Sequence, residues 1–358
     1  MDNLLSFMEE QQLDAILITS PKHVCYLTGF YADPHERFMG LVIPAAGEPT
    51  LIVPALERDA AGGKSAVQRI VTHTDVQNPY EVLKQVLPQG VKRLGLEKGH
   101  LTVARYEALD ASIGAASYTD VNPPLQEMRV IKSAEEITRI KRAIQLVEDA
   151  LGEGIKKVKP GATEREIAAE LEYQMKRLGA DGPSFATTVL AGENAALPHG
   201  KPGNRPVREG ELLLFDLGVE ADGYVSDITR TFAVGGISGQ LEEIYQTVLA
   251  ANQAAIAAVR PAISFAQLDR TARDVIEAKG YGDLFTHRLG HGLGMEVHEY
   301  PSVHGENQDL LRPGMVFTIE PGIYLPGVGG VRIEDEVLVT EEGVEVLTRF
   351  PKELTVVG

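Results

Sequence analysis

Along the first third of the chain, short apolar runs alternate with stretches whose apolar residues recur at helical spacing. Leu4, Leu5, Met8 and Leu13 in "NLLSFMEEQQL" follow that spacing, and "AILIT" comes next as a strand-like run. "MGLVIP", "PTLIVP" and "RLGLEK" read as further strands, with "PYEVLKQVL" helical between them. Alternation of this kind predicts a small α/β domain. The Pro-containing stretch "DVNPPLQEMR" then interrupts the pattern and sets a boundary, giving domains of residues 1–124 and 125–358. Beyond it, Ser133-Ala134-Glu135-Glu136 is a capping box. It opens a long helix with Ile137, Ile140, Ile144, Val147 and Leu151 on one face.

The second part repeats its own pattern. "VKPGATEREIAAELEYQMKRLG" matches "VRPAISFAQLDRTARDVIEAKG", so that Thr163 and Glu166 fall on Ser264 and Gln267, and Gly179 on Gly280. Later, "VREGELLLFDLGV" matches "LRPGMVFTIEPGI", with Gly210 on Gly314, Asp216 on Glu320 and Gly218 on Gly322. Each half supplies helices and then a strand bearing one acid in an apolar setting. The natural packing of two such halves is an α+β domain with a pseudo-two-fold axis.

In "LLLFDLGVEADGYVSDITRT" two apolar strands flank a turn, and Asp216 and Asp227 lie symmetrically about Ala221 and Asp222. A tight turn there would set the two acids opposite each other, with Cβ atoms about 5 Å apart. The repeat demands a counterpart, and Glu320 and Glu334 flank the Gly-rich "LPGVGG" in the same way. Any one of these acids alone is most simply a solvated strand residue or an ion-pair partner. Four at matched positions of a repeat would point at one place, and four carboxylates in low dielectric need hard divalent cations. His291 in "HRLGHGLGMEVHE" is a further ligand candidate, since Gly290, Gly292 and Gly294 let backbone approach a site closely. His287, His298 and, in "ENAALPHGKP", His199 add nearby imidazoles. The glycine spacing fits neither the Walker nor the dinucleotide-binding pattern.

Composition narrows the picture. A chain of 358 residues is long for one core and fits two domains, and 44% hydrophobic with 24% charged residues is ordinary for a soluble protein. No apolar run approaches the roughly 20 residues of a membrane span. The start "MDNLLSFMEEQQLDAILI" is acidic where a signal peptide is basic, and Cys25, to which no role is assigned, is the sole cysteine. Both observations predict a cytoplasmic protein. A net charge of −17 argues against nucleic acid and anionic membrane as partners, and suits a protein that concentrates cations.

From about Leu125 onward these residues resemble the pita-bread metallopeptidases, the group of methionine aminopeptidase, aminopeptidase P and prolidase. The motifs "FDLG", "SDITRT", "GHGLG", "EPGIY" and "RIED" place Asp216, Asp227, His291, Glu320 and Glu334 in the family's ligand order. The resemblance implies two divalent metal ions, manganese with cobalt or zinc as substitutes. One would take Asp216, the other His291 and Glu320, with Asp227 and Glu334 as bridges. Between them a shared hydroxide would attack a polarised scissile carbonyl. By the same resemblance Glu320 shuttles the proton, and His199 and His298 contact substrate around the scissile bond. His287, Tyr324 and Arg332 line the site.

An amino-terminal domain separates this chain from methionine aminopeptidase, and the intact ligand set separates it from creatinase. The loop "GFYADPHERFMG" resembles the segment of bacterial prolidases that reaches into the active site. Its Asp33, His35 and Arg37 are candidate substrate contacts, the cations suiting a dipeptide's free carboxylate. The plainer reading is surface, with Arg37 paired to Asp33 or Glu36. The implied protein is a cytoplasmic, metal-dependent Xaa-Pro dipeptidase whose substrate is a proline-containing dipeptide. It is a homodimer by family resemblance. A short-form aminopeptidase P is the alternative within the class. A non-catalytic binding protein on the same fold is the alternative outside it, against which the complete ligand set argues.

Overall fold

The computed structural model describes residues 2–358, in two compact units that part between Arg129 and Val130. Among the described residues no helix is long and apolar enough to cross a membrane.

The first unit is built on a six-stranded sheet in the order Arg69–His73, Thr50–Pro54, Gly40–Pro44, Ala15–Ile18, Arg93–Leu96, Ser117–Asp120. Ala15–Ile18 is central, antiparallel to Gly40–Pro44 and parallel to Arg93–Leu96. It is buried on both faces, which is why "AILI" is continuously apolar instead of alternating. One face packs on Leu4, Met8 and Val24, the other on Phe38, Leu83 and Leu109. Leu5 departs from its expected place and is 43% exposed, because Leu4 and Met8 define the buried face of the helix Asp2–Glu10. Leu13 is buried, but beyond that helix. The Pro-containing stretch is helix, not linker: Asn122–Val130 begins with Pro123 and Pro124 in its first turn, where a missing N–H leaves no bond unmade. The units therefore part after Arg129 rather than after residue 124. The strands Arg69–His73 and Ser117–Asp120 were not foreseen. Both are sheet edges with partly exposed residues, so neither carries a clear apolar run.

The second unit has two halves of similar build. Helices Ala134–Gly154 and Glu164–Leu178 share a core with the sheet Val356–Val357, Ile228–Val234, Glu211–Leu217, Thr188–Ala191. Helices Gly239–Ala258 and Phe265–Glu277 share another with the sheet Glu299–Val303, Gly290–Gly292, Val316–Ile319, Asp335–Val339, Val344–Val346. The sequence repeat is visible in atomic detail. Both capping boxes form, Thr163 with Glu166 and Ser264 with Gln267. Gly210 and Gly314, just before the matched strands, have φ of 86° and 88°, a region that side chains disfavour.

Candidate active site

The first acidic hairpin turns at Asp222-Gly223, with φ of 52° and 76°. Two positive φ values make the tight mirror-image turn whose twist suits paired strands. Ala221 is paired with Tyr224, and Asp216 faces Thr229. The expectation that Asp216 faces Asp227 is therefore corrected: the turn is centred one residue later than the symmetry of the acids implies. Asp227 lies two positions from the residue opposite Asp216. With a side-chain period of two, it stays on the same side of the ladder as a diagonal neighbour. In the second hairpin, Ile319 faces Asp335 and Gly322 faces Arg332, so Glu320 and Glu334 are opposed across the break between these strand pairs.

Glycines make the breaks possible. A Cβ on Gly218 would lie 2.0 Å from the Ser226 carbonyl oxygen, beside Asp227. Cβ atoms on Gly290 and Gly292 would lie 1.9 Å and 2.2 Å from the carbonyl oxygens of Thr318 and Tyr300. His291 sits between them, on a strand pressed against both neighbours.

One ligand atom from each of Asp227, His291 and Glu334 lies within 4.8 Å of the others, and all three residues are buried. His291 Nε2 is 3.5 Å from Asp227 Oδ2 and 3.3 Å from Glu320 Oε1. The His291 Nδ1 lies 3.2 Å from the Gly292 carbonyl, which can only accept, so Nδ1 carries the proton and Nε2 offers its lone pair to the cluster. Asp216 stands at the edge of the group, 20% exposed and bound by Arg332 Nη2. Glu334 Oε2 accepts from Thr229 Oγ1 at 2.7 Å, while its buried Oε1 has no hydrogen-bond partner among the described residues. Such an orphan costs about 1–3 kcal/mol or more.

The electrostatics match this picture. Burial, then the Glu334 charge, hold the carboxyls of Asp227 and Glu320 well above the usual range. Burial and Asp216 push Glu334 up to about 7. Burial, with His298 beside it, brings His291 down to about 3. The chain by itself thus offers a crowded acid cluster and a neutral imidazole, a donor set that fits divalent cations of the manganese, cobalt and zinc kind.

Around the cluster, His287 Nε2 is 2.8 Å from Tyr324 Oη, and Arg332 Nη1 donates to the same oxygen at 2.9 Å. His287, Tyr324, Arg332 and Asp216 thus form one chain of hydrogen bonds. Burial and Arg332 lower His287 to about 4. The ring of His298 is 4.2 Å from that of His291, centroid to centroid. His199 is exposed, and its charge helps to lower the pKa of both His287 and His298. Asp33, His35 and Arg37 belong to the first unit. His35 Nδ1 is 3.5 Å from Asp33, and Arg37 pairs with Glu36 at 3.1 Å. Arg37 also makes a two-pronged bond to Asp75, 2.8 and 3.2 Å long.

Some supports of the cluster escaped the sequence reading. Glu336, fully buried, accepts the Asp227 N–H at 2.8 Å. Arg230, also buried, bonds Asp335 at 2.8 Å and the carbonyls of Thr229 and Glu334, and Lys352 reaches Asp335 at 2.7 Å. These bonds clamp the second hairpin onto the first. Their only marks in the sequence are an arginine inside the apolar "ITRTFAV" and the acid run of "RIEDEV".

Two family models match the chain: metallopeptidase family M24 over residues 138–341, and the creatinase/prolidase N-terminal domain over residues 1–131. A putative dipeptidase, YkvY of Bacillus subtilis, is 44% identical over 354 residues, covering 98% of each chain. The solved prolidase of Pyrococcus horikoshii is 38% identical with a TM-score of 0.93, covering 99% of both chains. The solved X-Pro aminopeptidase of Thermotoga maritima is 33% identical with a TM-score of 0.88, covering 98% of this chain and 99% of its own.

Proposed function

The chain belongs to metallopeptidase family M24, and from that premise we propose that it is a dinuclear Xaa-Pro dipeptidase. The observation that carries the metal assignment is the buried group of Asp227, His291 and Glu334 with its orphan carboxylate oxygen, flanked by Glu320 and Asp216. These five residues would hold two divalent ions, which in our reading are manganese. Such ions, when bound, lower the pKa of a water and polarise a carbonyl.

The chain's own groups do the rest. Glu320, half-buried beside His291, takes and returns the proton. His298 and His199 face the scissile bond and stabilise charge that develops on its carbonyl oxygen. Arg332 and Tyr324 tie Asp216 to His287 and hold the rim of the site in place. A cytoplasmic homodimer belongs to the same proposal, on the single cysteine and on the resemblance respectively.

Metal binding is expected to release protons. Glu334 and its neighbours hold protons above the usual carboxylate range, and a cation must displace them. His291, already neutral, contributes none. At a pH of about 6, below the Glu334 value of about 7, release should be at least about one proton per site, and it should shrink as pH rises past that value. Affinity should climb over the same window. Calorimetry of manganese binding in two buffers of different ionisation enthalpy reads this directly; no release at the lower pH would remove the carboxylates from the ligand set.

Solved relatives named Xaa-Pro dipeptidase and X-Pro aminopeptidase share this fold, so a substrate pair decides between the two readings. Ala-Pro should be cleaved far better than Ala-Pro-Ala in manganese, whereas strong tripeptide cleavage would make the chain an aminopeptidase P. We assign the selection to the loop of Asp33, His35 and Arg37. Arg37 would exchange Asp75 for the substrate's free carboxylate, which a longer peptide lacks. Arg37→Ala should lower catalytic efficiency on Xaa-Pro dipeptides about tenfold and leave tripeptides level or improved. Equal losses on both would mean that Arg37 serves only its pairing with Asp75 and Glu36.

A further inference from the structure

Glu164 lies outside the ligand set, yet it is 0% exposed and is the first residue of the helix Glu164–Leu178. Both of its carboxylate oxygens are used, and they bind opposite ends of one loop. Oε1 accepts the Ala191 N–H at 2.8 Å and the Asn194 side-chain amide at 2.9 Å. Oε2 accepts the Gly203 N–H at 2.9 Å. The backbone adds two more ties, Arg165 N–H to the Gly203 carbonyl at 3.0 Å and Glu164 N–H to that of Arg205 at 3.2 Å. The loop so closed carries His199.

The near side of this loop has a second anchor. The turn Gly192–Ala196 lies against the strand Gly329–Arg332, so close that a Cβ on Gly330 would sit 2.1 Å from the Ala195 carbonyl oxygen. That strand ends in Arg332. The far side, from Leu197 to Gly203, turns back through a Gly200 N–H to Leu197 carbonyl bond of 2.9 Å and closes on Glu164. Leu197 and His199 are exposed.

We propose that Glu164 is a positioning residue: its carboxylate staples both ends of the loop at residues 191–203 and so holds His199 toward the substrate. The inference rests on the reading of His199 as a substrate contact. The chemistry is specific to a carboxylate, because three N–H donors converge on it and an acceptor is needed at each oxygen. A carboxylate at a helix's first residue is also favoured by the helix dipole. Glutamine has the same size but only one acceptor. Its oxygen would keep Ala191 and Asn194, its NH2 would face the Gly203 N–H, and the end nearer His199 would be released.

The test compares Glu164→Gln, His199→Ala and the double variant, each as manganese-loaded full chain. Glu164→Gln should lower kcat on Ala-Pro about ten- to fiftyfold with little change in KM. Metal content should be unchanged, and amide exchange at residues 197–203 should quicken. The double variant should be no slower than His199→Ala alone, since a residue acting through His199 has nothing left to lose. Multiplying losses, unchanged exchange, or metal lost in step with activity would each overturn the proposal. Full activity of His199→Ala with quickened exchange in Glu164→Gln would instead remove His199 from the substrate contacts and leave the loop staple standing. Glu164→Asp, which keeps both acceptors on a shorter stem, should fall between wild type and Glu164→Gln, and it carries the same readouts if the glutamine variant does not fold.

Discussion

Alanine at Asp227 or at Glu334 is expected, on the proposed dinuclear reading, to strip both metal ions together and to reduce hydrolysis by about a thousandfold or more, since bound ions would supply both water activation and carbonyl polarisation. The two residues sit where the two hairpins break their ladders, and with His291 they form the tightest group of potential ligands among the described residues. A carboxylate that bridged two ions could not be deleted for one of them only. Asp216→Ala should behave differently, because Asp216 stands outside that group, at the edge, and is bound to Arg332. It should retain close to one ion where the others retain none. Elemental analysis after gel filtration reads all three variants. One full equivalent of metal in Asp227→Ala or Glu334→Ala would end the bridging assignment.

The same variants separate function from stability. Without metal, ionised Glu334 is opposed by burial and by the Asp216 charge, and its Oε1 is an orphan. Its folded-state pKa of about 7 lies above the unfolded one, so its contribution to stability is lost as pH rises through that window. In chelator at a pH of about 8, Glu334→Ala should therefore melt no lower than wild type, the relief of a buried, repelled charge offsetting the lost packing. In manganese the wild type should melt well above the variant, because only the wild type gains binding energy.

Much of this site is written locally in the sequence. The capping boxes of Thr163 and Ser264, the matched glycines 210 and 314, and the acids flanking "LPGVGG" are each set by a few neighbouring residues, so pattern alone finds them. The register of the first hairpin departs from the symmetric one although its mark is present in the sequence. Asp222-Gly223 is the dipeptide that favours a two-residue turn, and it outweighs the symmetry of the acids around it. The supports could not be read, because their partners are distant in the chain. Glu336 and Asp227 are separated by 109 residues, Glu164 and Gly203 by 39, and Arg37 and Asp75 by 38. No periodicity reports such a pair. A buried acid at a helix start or an arginine inside an apolar strand says that a partner exists without saying which.

Glu320→Gln is expected to cut turnover by roughly 100-fold or more while metal occupancy falls much less. The argument turns on what glutamine keeps. Glu320 Oε1 lies 3.3 Å from His291 Nε2 and accepts from Thr318 Oγ1 at 3.3 Å, and an amide oxygen can stand in the same place. What the amide lacks is a site for a proton. Burial and the Glu334 charge raise the Glu320 carboxyl well above the usual range, a direction that suits the proposed role of taking up a proton. Arg332 and Arg288 oppose that shift without reversing it. Ligation and proton transfer are therefore separable at this position. The measurement is kcat per bound metal pair, taken at saturating manganese and again at limiting manganese. If kcat per metal pair stays at the wild-type level, Glu320 is a ligand only, and the proton must travel by another residue. If it falls about a hundredfold at full occupancy with KM nearly unchanged, the loss lies in the chemical step, where a proton acceptor beside the reacting water is needed.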